Sequence, residues 1–275
     1  MDVNALDDQA GFGSEAIRQN RANKGARVFP IRDHNPSGRI PYVTYAILGL
    51  NIVIFLSYVA VINEPRRFNP ILIDYALFPV AVSNGEGYLG IFTSMFMHGG
   101  WMHLIGNMLF LWIFGDNMED AFGHLGFAVF YLVCGVLAGL AHVMVDPSSQ
   151  VPLVGASGAI AGVLGGYLLL FPKARVDILF IFIVFFRVFS LPAWIVLAVW
   201  LAIQVFSGAT TDISGGGVAY WAHAGGFIAG IVLSLPYWWR QGAAAFWDRT
   251  HGHPPHPPQK VPTHISRIPI VQKRK

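Results

Sequence analysis

A serine and a histidine in two apolar, glycine-containing stretches are the residues best suited to chemistry in this sequence. Ser157 lies in "GASGAIAG" and His223 lies in "AYWAHAGGFIAG". A serine hydroxyl is a weak nucleophile until a base removes its proton, and histidine is the usual base. The carboxylate nearest to His223 in the sequence is Asp212, in the preceding loop. The residues therefore predict a Ser–His dyad and not a triad.

The stretch "HGGWMHLIGN", residues 98–107, adds polar side chains to an apolar part of the chain. His103 and Asn107 are four residues apart and hence share one face of a helix. Attack of a serine on an amide creates an oxyanion, which needs hydrogen-bond donors. Backbone N–H groups at the start of the helix that carries Ser157 could supply them, and His103 and Asn107 could add side-chain donors. A packing role for the pair is the alternative.

Stripes of small residues predict how the serine and the histidine meet. Small residues at spacing four let membrane helices approach closely. One stripe adjoins Ser157 and the other adjoins His223, so packing of the two faces would bring hydroxyl and imidazole within hydrogen-bond reach. A serine in a membrane helix usually bonds to its own backbone instead, whereas an intramembrane histidine points to function. The predicted packing residues are Gly155, Gly158, Gly162 and Gly166 on one side and Ala222, Gly226 and Gly230 on the other.

The composition is that of a membrane protein. Of the 275 residues, 54% are hydrophobic and 12% are charged, against about 25% charged in a soluble domain. Cys134 is the only cysteine, so no internal disulfide is possible. The basic residues lie mostly in the two tails beside apolar runs, which indicates positive-inside anchoring and not nucleic-acid binding.

Apolar runs predict six membrane-spanning helices and an all-α membrane protein. A crossing needs roughly 20 mostly apolar residues. Residues 63–97 are broken by prolines and cannot be one helix, and the long apolar run that ends near 206 is divided by Pro192. The predicted spans are 42–62, 101–115, 125–145, 155–171, 190–206 and 218–238.

Three regions follow from these spans. Residues 1–40 are expected to be a polar cytoplasmic N-terminal tail, residues 41–240 the six-helix membrane domain, and residues 241–275 a disordered, Pro- and His-rich cytoplasmic tail. The last region contains histidines that could bind a metal adventitiously, but solvated tail is the expectation. We predict neither a cofactor nor a functional metal site.

The distribution of lysine and arginine predicts the orientation. Basic residues cluster before the first span, after the fourth and after the sixth, which places both tails in the cytoplasm. Arg66 and Arg67 in the first long loop run against this trend. The second, fourth and sixth spans then run from outside to inside. One layer below the outer surface would hold Ser157, His223, His98, His103 and Asn107.

At these residues the sequence resembles the rhomboid family of intramembrane serine proteases. The motifs "FTSMFMHGGWMHLIGNMLFLWIFGDNMED", "GASGAIAG" and "GVAYWAHAGGFIAG" are similar to rhomboid motifs and occur in the expected order. The resemblance covers about 40–240. It implies a six-transmembrane-helix, rhomboid-like bundle that cleaves single-pass transmembrane proteins near the outer leaflet, in an expected bacterial inner (plasma) membrane.

The resemblance also implies roles for individual residues. Ser157 would be the nucleophile and His223 the general base, with His103 and Asn107 at the oxyanion hole and His98 in the supporting network. Segment 63–97 would be the family's first loop, lying partly in the membrane. The turn after the third span, with the start of the fifth, would cap or gate the site. Glu119 and Gly123 are similar to the family's cytoplasmic-side "ExxxG".

The sequence departs from the resemblance one helical turn after the serine. Some rhomboids carry a tyrosine there that stacks on the histidine, whereas this chain has Ala161. How His223 is held is therefore open, with Tyr220 and Trp221 as candidates.

Other classes of protein account for fewer of these features. A rhomboid-like pseudoprotease, a membrane binding or chaperoning protein, typically lacks the serine or the histidine. A transporter would be expected to carry an intramembrane carboxylate pair and a repeat of its halves. A metalloprotease would need an H-E-x-x-H motif on a helix.

Overall fold

The computed structural model describes residues 27–35, 37–182, 185–210 and 219–255. The predictions for the N-terminal tail before residue 27, for the turn that contains Asp212 and for the tail after residue 255 lie outside these ranges.

The first predicted span is a helix, α1, over Tyr42–Tyr58, which ends in a 3₁₀ turn at Val59–Val61. Its buried side chains recur every three or four residues and form one face, which packs against the next long helix. That face consists of Thr44, Ile47, Asn51, Phe55 and Tyr58.

The segment after α1 forms short helices in place of one long helix, as its prolines predict. The short helices are α2 over Pro65–Tyr75, α3 over Pro79–Ser83 and α4 over Gly90–Thr93, followed by a 3₁₀ turn at Ser94–Phe96. Pro65 and Pro79 each occupy the start of a helix. The first N–H groups of a helix have no partner within it, so a proline there costs no hydrogen bond.

The second and third predicted spans are the two parts of α5, Trp101–Val145. The helix is interrupted at Gly123, where φ is 72° and ψ is 165°. L-residues rarely adopt this conformation, so glycine permits the break between the two parts. The signal in the sequence was therefore a single glycine between two apolar runs.

The centre of the molecule is α6, Ser157–Leu170, which packs against α5 and against α8, Tyr220–Arg240. Each residue of α6 from Gly158 to Tyr167 is buried. A helix that is apolar on every side is buried on every side, and α6 is accordingly enclosed by its neighbours.

The described residues are mostly helical, as predicted, but a three-stranded antiparallel sheet shows that the protein is not all-α. Its strands are β1 over Arg27–Asp33, β2 over Arg175–Phe182 and β3 over Phe185–Pro192, in the order β1-β2-β3. β2 and β3 lie mostly in the part of the long apolar run before Pro192, to which the sequence analysis assigned no element. β1 lies in the predicted N-terminal tail, far from its partner in sequence. Strand pairing depends on such non-local partners. Neither the N-terminal segment nor the apolar run therefore indicated a sheet when considered alone.

The fifth and sixth predicted spans are helical, with shifted bounds for the fifth. α7 covers Ala193–Thr210, directly after Pro192 ends β3, whereas the prediction was 190–206. A further helix, α9, covers Ala244–Thr250 within the region predicted to be disordered from 241. That prediction is wrong for α9, because Phe246 is buried and Trp247 Nε1 donates to the Leu169 carbonyl at 2.9 Å.

Within the described residues, three helices are long and apolar enough to cross a membrane: Tyr42–Val61, Trp101–Val145 and Ala193–Thr210. Ser157–Leu170 is apolar but shorter. The predicted number of six crossings stays a prediction.

Candidate active site

Ser157 and His223 come together where α6 and α8 cross. Ser157 is the first residue of α6, and His223 lies in the first turn of α8. The Nε2 atom of His223 is 2.7 Å from the Oγ atom of Ser157. Ser234, further along α8, instead donates to its own backbone at Gly230, 2.7 Å away. The hydroxyl of Ser157 is thus used across helices, unlike that of an ordinary membrane serine.

Glycines let the backbones of α6 and α8 approach closely enough for this hydrogen bond. A methyl group at Gly226 would collide with the carbonyl of Gly158, and one at Gly230 would collide with the carbonyl of Gly162. Both contacts are with main chain, which cannot move aside. The stripes predicted from the sequence therefore face each other, and Ser157 and His223 lie beside this contact.

Gly155 differs from the other glycines that were grouped as packing residues. It precedes α6, has a φ of 128°, and donates its N–H to the carbonyl of Ser94 at 2.9 Å. A methyl group there would lie 2.7 Å from Nε2 of His103 and 3.5 Å from Oγ of Ser157. Gly155 therefore lies outside the contact between α6 and α8, and its missing side chain lets the backbone approach the imidazole of His103 closely. The glycine-stripe pattern could not separate the two roles.

The loop that carries Gly155 is fastened to the segment of short helices. Leu77 and Leu153 exchange two backbone hydrogen bonds, at 3.1 and 2.8 Å. Together with the bond from Gly155 to Ser94, these contacts fix the approach of the chain to Ser157.

His103 and Asn107 lie on one face of α5, one turn apart. The amide of Asn107 donates to the carbonyl of His103 at 3.0 Å, and the backbone N–H of Gly99 donates to Nδ1 of His103 at 3.4 Å. His103 therefore presents Nε2 toward Gly155. Asn107 is 7% exposed, and its bond to His103 leaves one amide hydrogen for another acceptor.

His98 is buried beside His103, and its backbone is held by Tyr58. The rings of His98 and His103 meet edge to face with centroids 5.1 Å apart. The hydroxyl of Tyr58 accepts from the N–H of His98 at 2.6 Å and donates to its carbonyl at 2.9 Å. This tyrosine on α1 was not singled out in the sequence, since tyrosines are common near the ends of membrane helices.

Two residues of α7 hold the other side of His223, and neither was predicted. The Nδ1 atom of His223 is 2.8 Å from Oε1 of Gln204. The ring of Trp200 lies 5.8 Å from that of His223, tilted by 34°. Gln204 is a polar residue inside a predicted crossing, which was the available signal. An aromatic ring of α7 therefore lies beside His223, where the side chain at Ala161 offers none.

A second set of buried polar residues lies at the far end of the bundle, around Glu119. Its carboxylate accepts hydrogen bonds from the N–H of Val43 at 2.9 Å, and from the N–H and the hydroxyl of Thr44, both at 2.7 Å. The ring of His124 bonds to it as well. Glu119 thereby binds the first N–H groups of α1, which have no partner within the helix.

The same end contains a network around Asp33, which lies outside the membrane-spanning helices. The hydroxyl of Tyr167 donates to Asp33 at 3.2 Å, and amides of Asn117 and Asn35 donate at 3.0 and 3.3 Å. Burial, together with the charge of Asp116, raises the pKa of Asp33 from 3.8 to about 7 despite these hydrogen bonds. This network ties the end of β1 to α5 and α6.

Asp177 fastens β1 to β2 at the edge of the same region. The Nη2 atom of Arg32 is 2.9 Å from its carboxylate, and Nε2 of His34 is 2.7 Å away. Burial by itself would raise the pKa of Asp177, but hydrogen bonds from His34 and Arg32 lower it below 3.8. The ionised carboxylate therefore joins the two strands.

Comparisons with known proteins agree with the resemblance in the motifs. A model of the rhomboid domain matches residues 85–240, more than half of the chain. Rhomboid protein 1, mitochondrial, of Saccharomyces cerevisiae is 30% identical over 69% of this chain and 51% of its own length. Rhomboid-like protease 3 of Toxoplasma gondii is 28% identical over 83% of this chain and 86% of its own length.

A bacterial relative extends the range of organisms. Rhomboid protease GluP of Bacillus subtilis is 29% identical over 71% of this chain and 36% of its own length. The chain spans about half the length of several curated relatives that it matches. The motifs, the domain model and these relatives lead to one assignment: the chain belongs to the rhomboid family of membrane proteins, which includes named proteases.

Proposed function

We propose that this protein is an intramembrane serine endopeptidase that uses Ser157 as nucleophile and His223 as general base. The observation that carries the proposal is the 2.7 Å contact between Oγ of Ser157 and Nε2 of His223. A serine in a membrane helix has no need of an imidazole partner, whereas a nucleophile does.

The chemistry follows from this contact. Oγ attacks the carbonyl carbon of the substrate peptide bond while Nε2 takes the hydroxyl proton. The tetrahedral oxyanion then collapses, the C–N bond breaks, and the leaving amine takes the proton from Nε2. Water hydrolyses the resulting ester by the same route, with His223 again as base, and restores the serine.

We place the oxyanion beside Ser157, between His103 and the start of α6. His103 Nε2 lies close to Gly155, two residues before Ser157, and Asn107 lies one turn further along α5. The helical hydrogen bonds of α6 begin with Ile160 N–H donating to Ala156 at 3.0 Å. The N–H groups of Ser157 and Gly158 precede that bond, so they are placed to act as further donors.

The proposed substrates are single-pass transmembrane proteins within the lipid bilayer, cut near the outer surface. Six crossings, with both termini in the cytoplasm, put the start of α6 below that surface. The basic residues before α1 and after α6 and α8 support this orientation. The turn after α5 and the start of α7 would then cap or gate the entrance. A bacterial inner membrane is the proposed location.

The deciding experiment is cleavage of a transmembrane substrate by the purified protein in proteoliposomes, alongside labelling with a fluorophosphonate probe. We expect the natural protein to cleave and to be labelled, and Ser157→Ala to do neither. His223→Ala should lose nearly all turnover, because a serine without its base is a poor nucleophile.

Ser234→Ala is the matched control, because this buried serine of α8 bonds only to its own helix in the contacts described. It should cleave at close to the natural rate. A natural protein that folds but neither cleaves any tested transmembrane segment nor takes the probe would instead support an inactive rhomboid-like binding or chaperoning protein.

A further inference from the structure

The inward face of α7 carries a buried amide among aliphatic and small residues. The buried positions of the helix are Ala193, Leu197, Gln204 and Gly208. Gln204 is 8% exposed, and a buried amide costs free energy unless it is hydrogen-bonded. Its Oε1 atom is bonded to Nδ1 of His223 at 2.8 Å. The buried amide of α7 is thus hydrogen-bonded to His223, the proposed base.

The chemistry of this contact selects one form of the imidazole. An amide oxygen only accepts hydrogen bonds, so a bond to it requires the hydrogen of His223 to be on Nδ1. A neutral imidazole with Nδ1–H has a bare Nε2, and Nε2 is the atom 2.7 Å from Oγ of Ser157. The bare nitrogen can take the hydroxyl proton, as a general base must.

Two neighbours on α7, Gln204 and Trp200, also stabilise the imidazolium that forms during attack. The dipole of the Gln204 carbonyl points its negative end at the protonated ring. The ring of Trp200 is a neighbour of those of both His223 and Phe227 on α8, with centroid distances of 5.8 and 6.0 Å. An indole beside an imidazolium attracts the charge and limits rotation of the ring.

We infer that Gln204 and Trp200 are positioning residues for His223, Gln204 by fixing the hydrogen on Nδ1 and Trp200 by holding the ring. This inference rests on the proposed function, because it assigns support to the base of the same dyad. In it, a neutral amide takes the place that a carboxylate holds in a Ser–His–Asp triad. The competing explanation is that Gln204 joins α7 to α8 only as a polar packing contact.

Two substitutions at position 204 separate these explanations. Gln204→Met keeps the length of the side chain but removes the acceptor, and kcat should fall by about 10- to 100-fold with KM little changed. Gln204→Glu keeps an acceptor and adds charge that stabilises the imidazolium. Its activity should recover to within a few-fold of the natural rate at high pH. The acidic limb of its pH–rate profile should move upward by about one to two units.

The pH–rate profile distinguishes the two explanations, because loss of a mere packing contact would not shift it. Among the described residues, the other titratable side chains that act electrostatically on His223 are His103 and His142 on α5, and both stay unchanged in these variants. Ile203→Met, on the exposed side of the same turn of α7, is the matched control and should cleave normally. Thermal melting establishes that each variant is folded.

The outcomes separate this inference from the proposed function. If the natural protein cleaves and Ser157→Ala does not, but folded Gln204→Met keeps the natural kcat, the positioning role is overturned while the dyad stands. Equal losses in Gln204→Met and Gln204→Glu at every pH would also overturn it in favour of packing. If Ser157→Ala still cleaves, the proposed function itself has failed.

Trp200 is tested in the same assay. Trp200→Phe keeps an aromatic face and should keep most of the turnover, whereas Trp200→Leu should lose about 10-fold in kcat. A folded Trp200→Leu protein with the natural kcat would overturn the assignment of Trp200.

Discussion

Polar side chains are buried at both ends of α6, but they are bonded differently at the two ends. At the serine end, around Ser157, neutral groups pair one to one: the hydroxyl with His223, and His223 with Gln204. At the tyrosine end, around Tyr167 and Glu119, carboxylates are surrounded by donors, and Glu119 accepts from two backbone N–H groups, a hydroxyl and an imidazole.

The difference distinguishes the proposed catalytic site from a structural clamp. A carboxylate whose acceptor positions are filled by the protein holds elements together, because none of its hydrogen-bonding capacity is left for a reactant. At the serine end, the hydroxyl of Ser157 has a single side-chain partner, His223. Substitutions at the tyrosine end should therefore change stability, and those at the serine end should change turnover.

The largest expected effect is at the tyrosine end. Glu119→Ala removes a carboxylate that is 1% exposed and leaves the first N–H groups of α1 without their acceptor. The free energy of unfolding should fall by about 3–5 kcal/mol. Thermal or denaturant unfolding in detergent measures this, with turnover per folded molecule measured beside it.

Glu64→Ala is the control for that prediction, since its carboxylate is half-exposed and pairs with Arg67 at 3.3 Å. A surface pair of this kind contributes about 1 kcal/mol or less. An equal loss of stability in both variants would mean that the Glu119 contacts do not clamp α1.

Asn107→Ala is next in size and tests the serine end. Removal of one oxyanion donor costs about 2.7–4 kcal/mol in the transition state, so kcat should fall by about 10² to 10³. KM should change little, because the donor acts mainly in the transition state. Steady-state cleavage in proteoliposomes is the measurement. His103 and the backbone amides remain as donors in this variant, so the loss of turnover should be partial.

Asn51→Ala is a matched control for Asn107→Ala. Both asparagines are buried and donate to the carbonyl four residues earlier, Asn51 to Ile47 at 2.8 Å. Asn51→Ala should keep its turnover per folded molecule. If the two variants behave alike, Asn107 is a packing residue and the oxyanion assignment is wrong.

Glycine substitutions along α6 and α8 should have a smaller effect that again differs between the ends. A methyl group at Gly226 would strike the main chain of Gly158, whereas one at Gly166 would meet side-chain atoms alone, those of Met118, Ser234 and Phe130. Gly226→Ala should cost about 1–3 kcal/mol of stability and, by moving His223 from Ser157, lower turnover. Gly166→Ala should cost less of both. Natural turnover in folded Gly226→Ala would mean that this contact does not set the dyad geometry.

A pH dependence of stability is expected at Asp33. Its pKa is raised to about 7 in the folded protein from 3.8. The protonated form is favoured by folding, so its contribution is fully present below about pH 4 and is lost as the pH rises through about 7. Melting temperature measured from pH 4 to 8 should show this decline, and Asp33→Asn should flatten it.

Asp74→Asn on α2 removes an exposed carboxyl and is the control for Asp33→Asn. The pH dependence should remain as in the natural protein. An unchanged slope in Asp33→Asn would assign the decline to other groups.

The sequence by itself determined the family and the residues that meet at the serine end. The motifs around Ser157, His103 and His223 are local strings, and the domain model that matches 85–240 confirms the resemblance they carry. Glycine spacing indicated which faces of two helices would touch, because a repeat of small residues every four positions can be recognised in the sequence alone. The prolines of segment 63–97 predicted that it does not form one long helix.

Tertiary structure decided what depends on partners distant in sequence. β1 pairs with β2 across nearly 150 residues, so no local period could reveal the sheet that accompanies the predicted helices. Gly155 looked like its neighbours in the stripe until the imidazole of His103 was found beside it. Gln204 and Trp200 reach His223 only because α7 packs against α8, and side-chain contacts between helices are fixed by three-dimensional packing and not by sequence order.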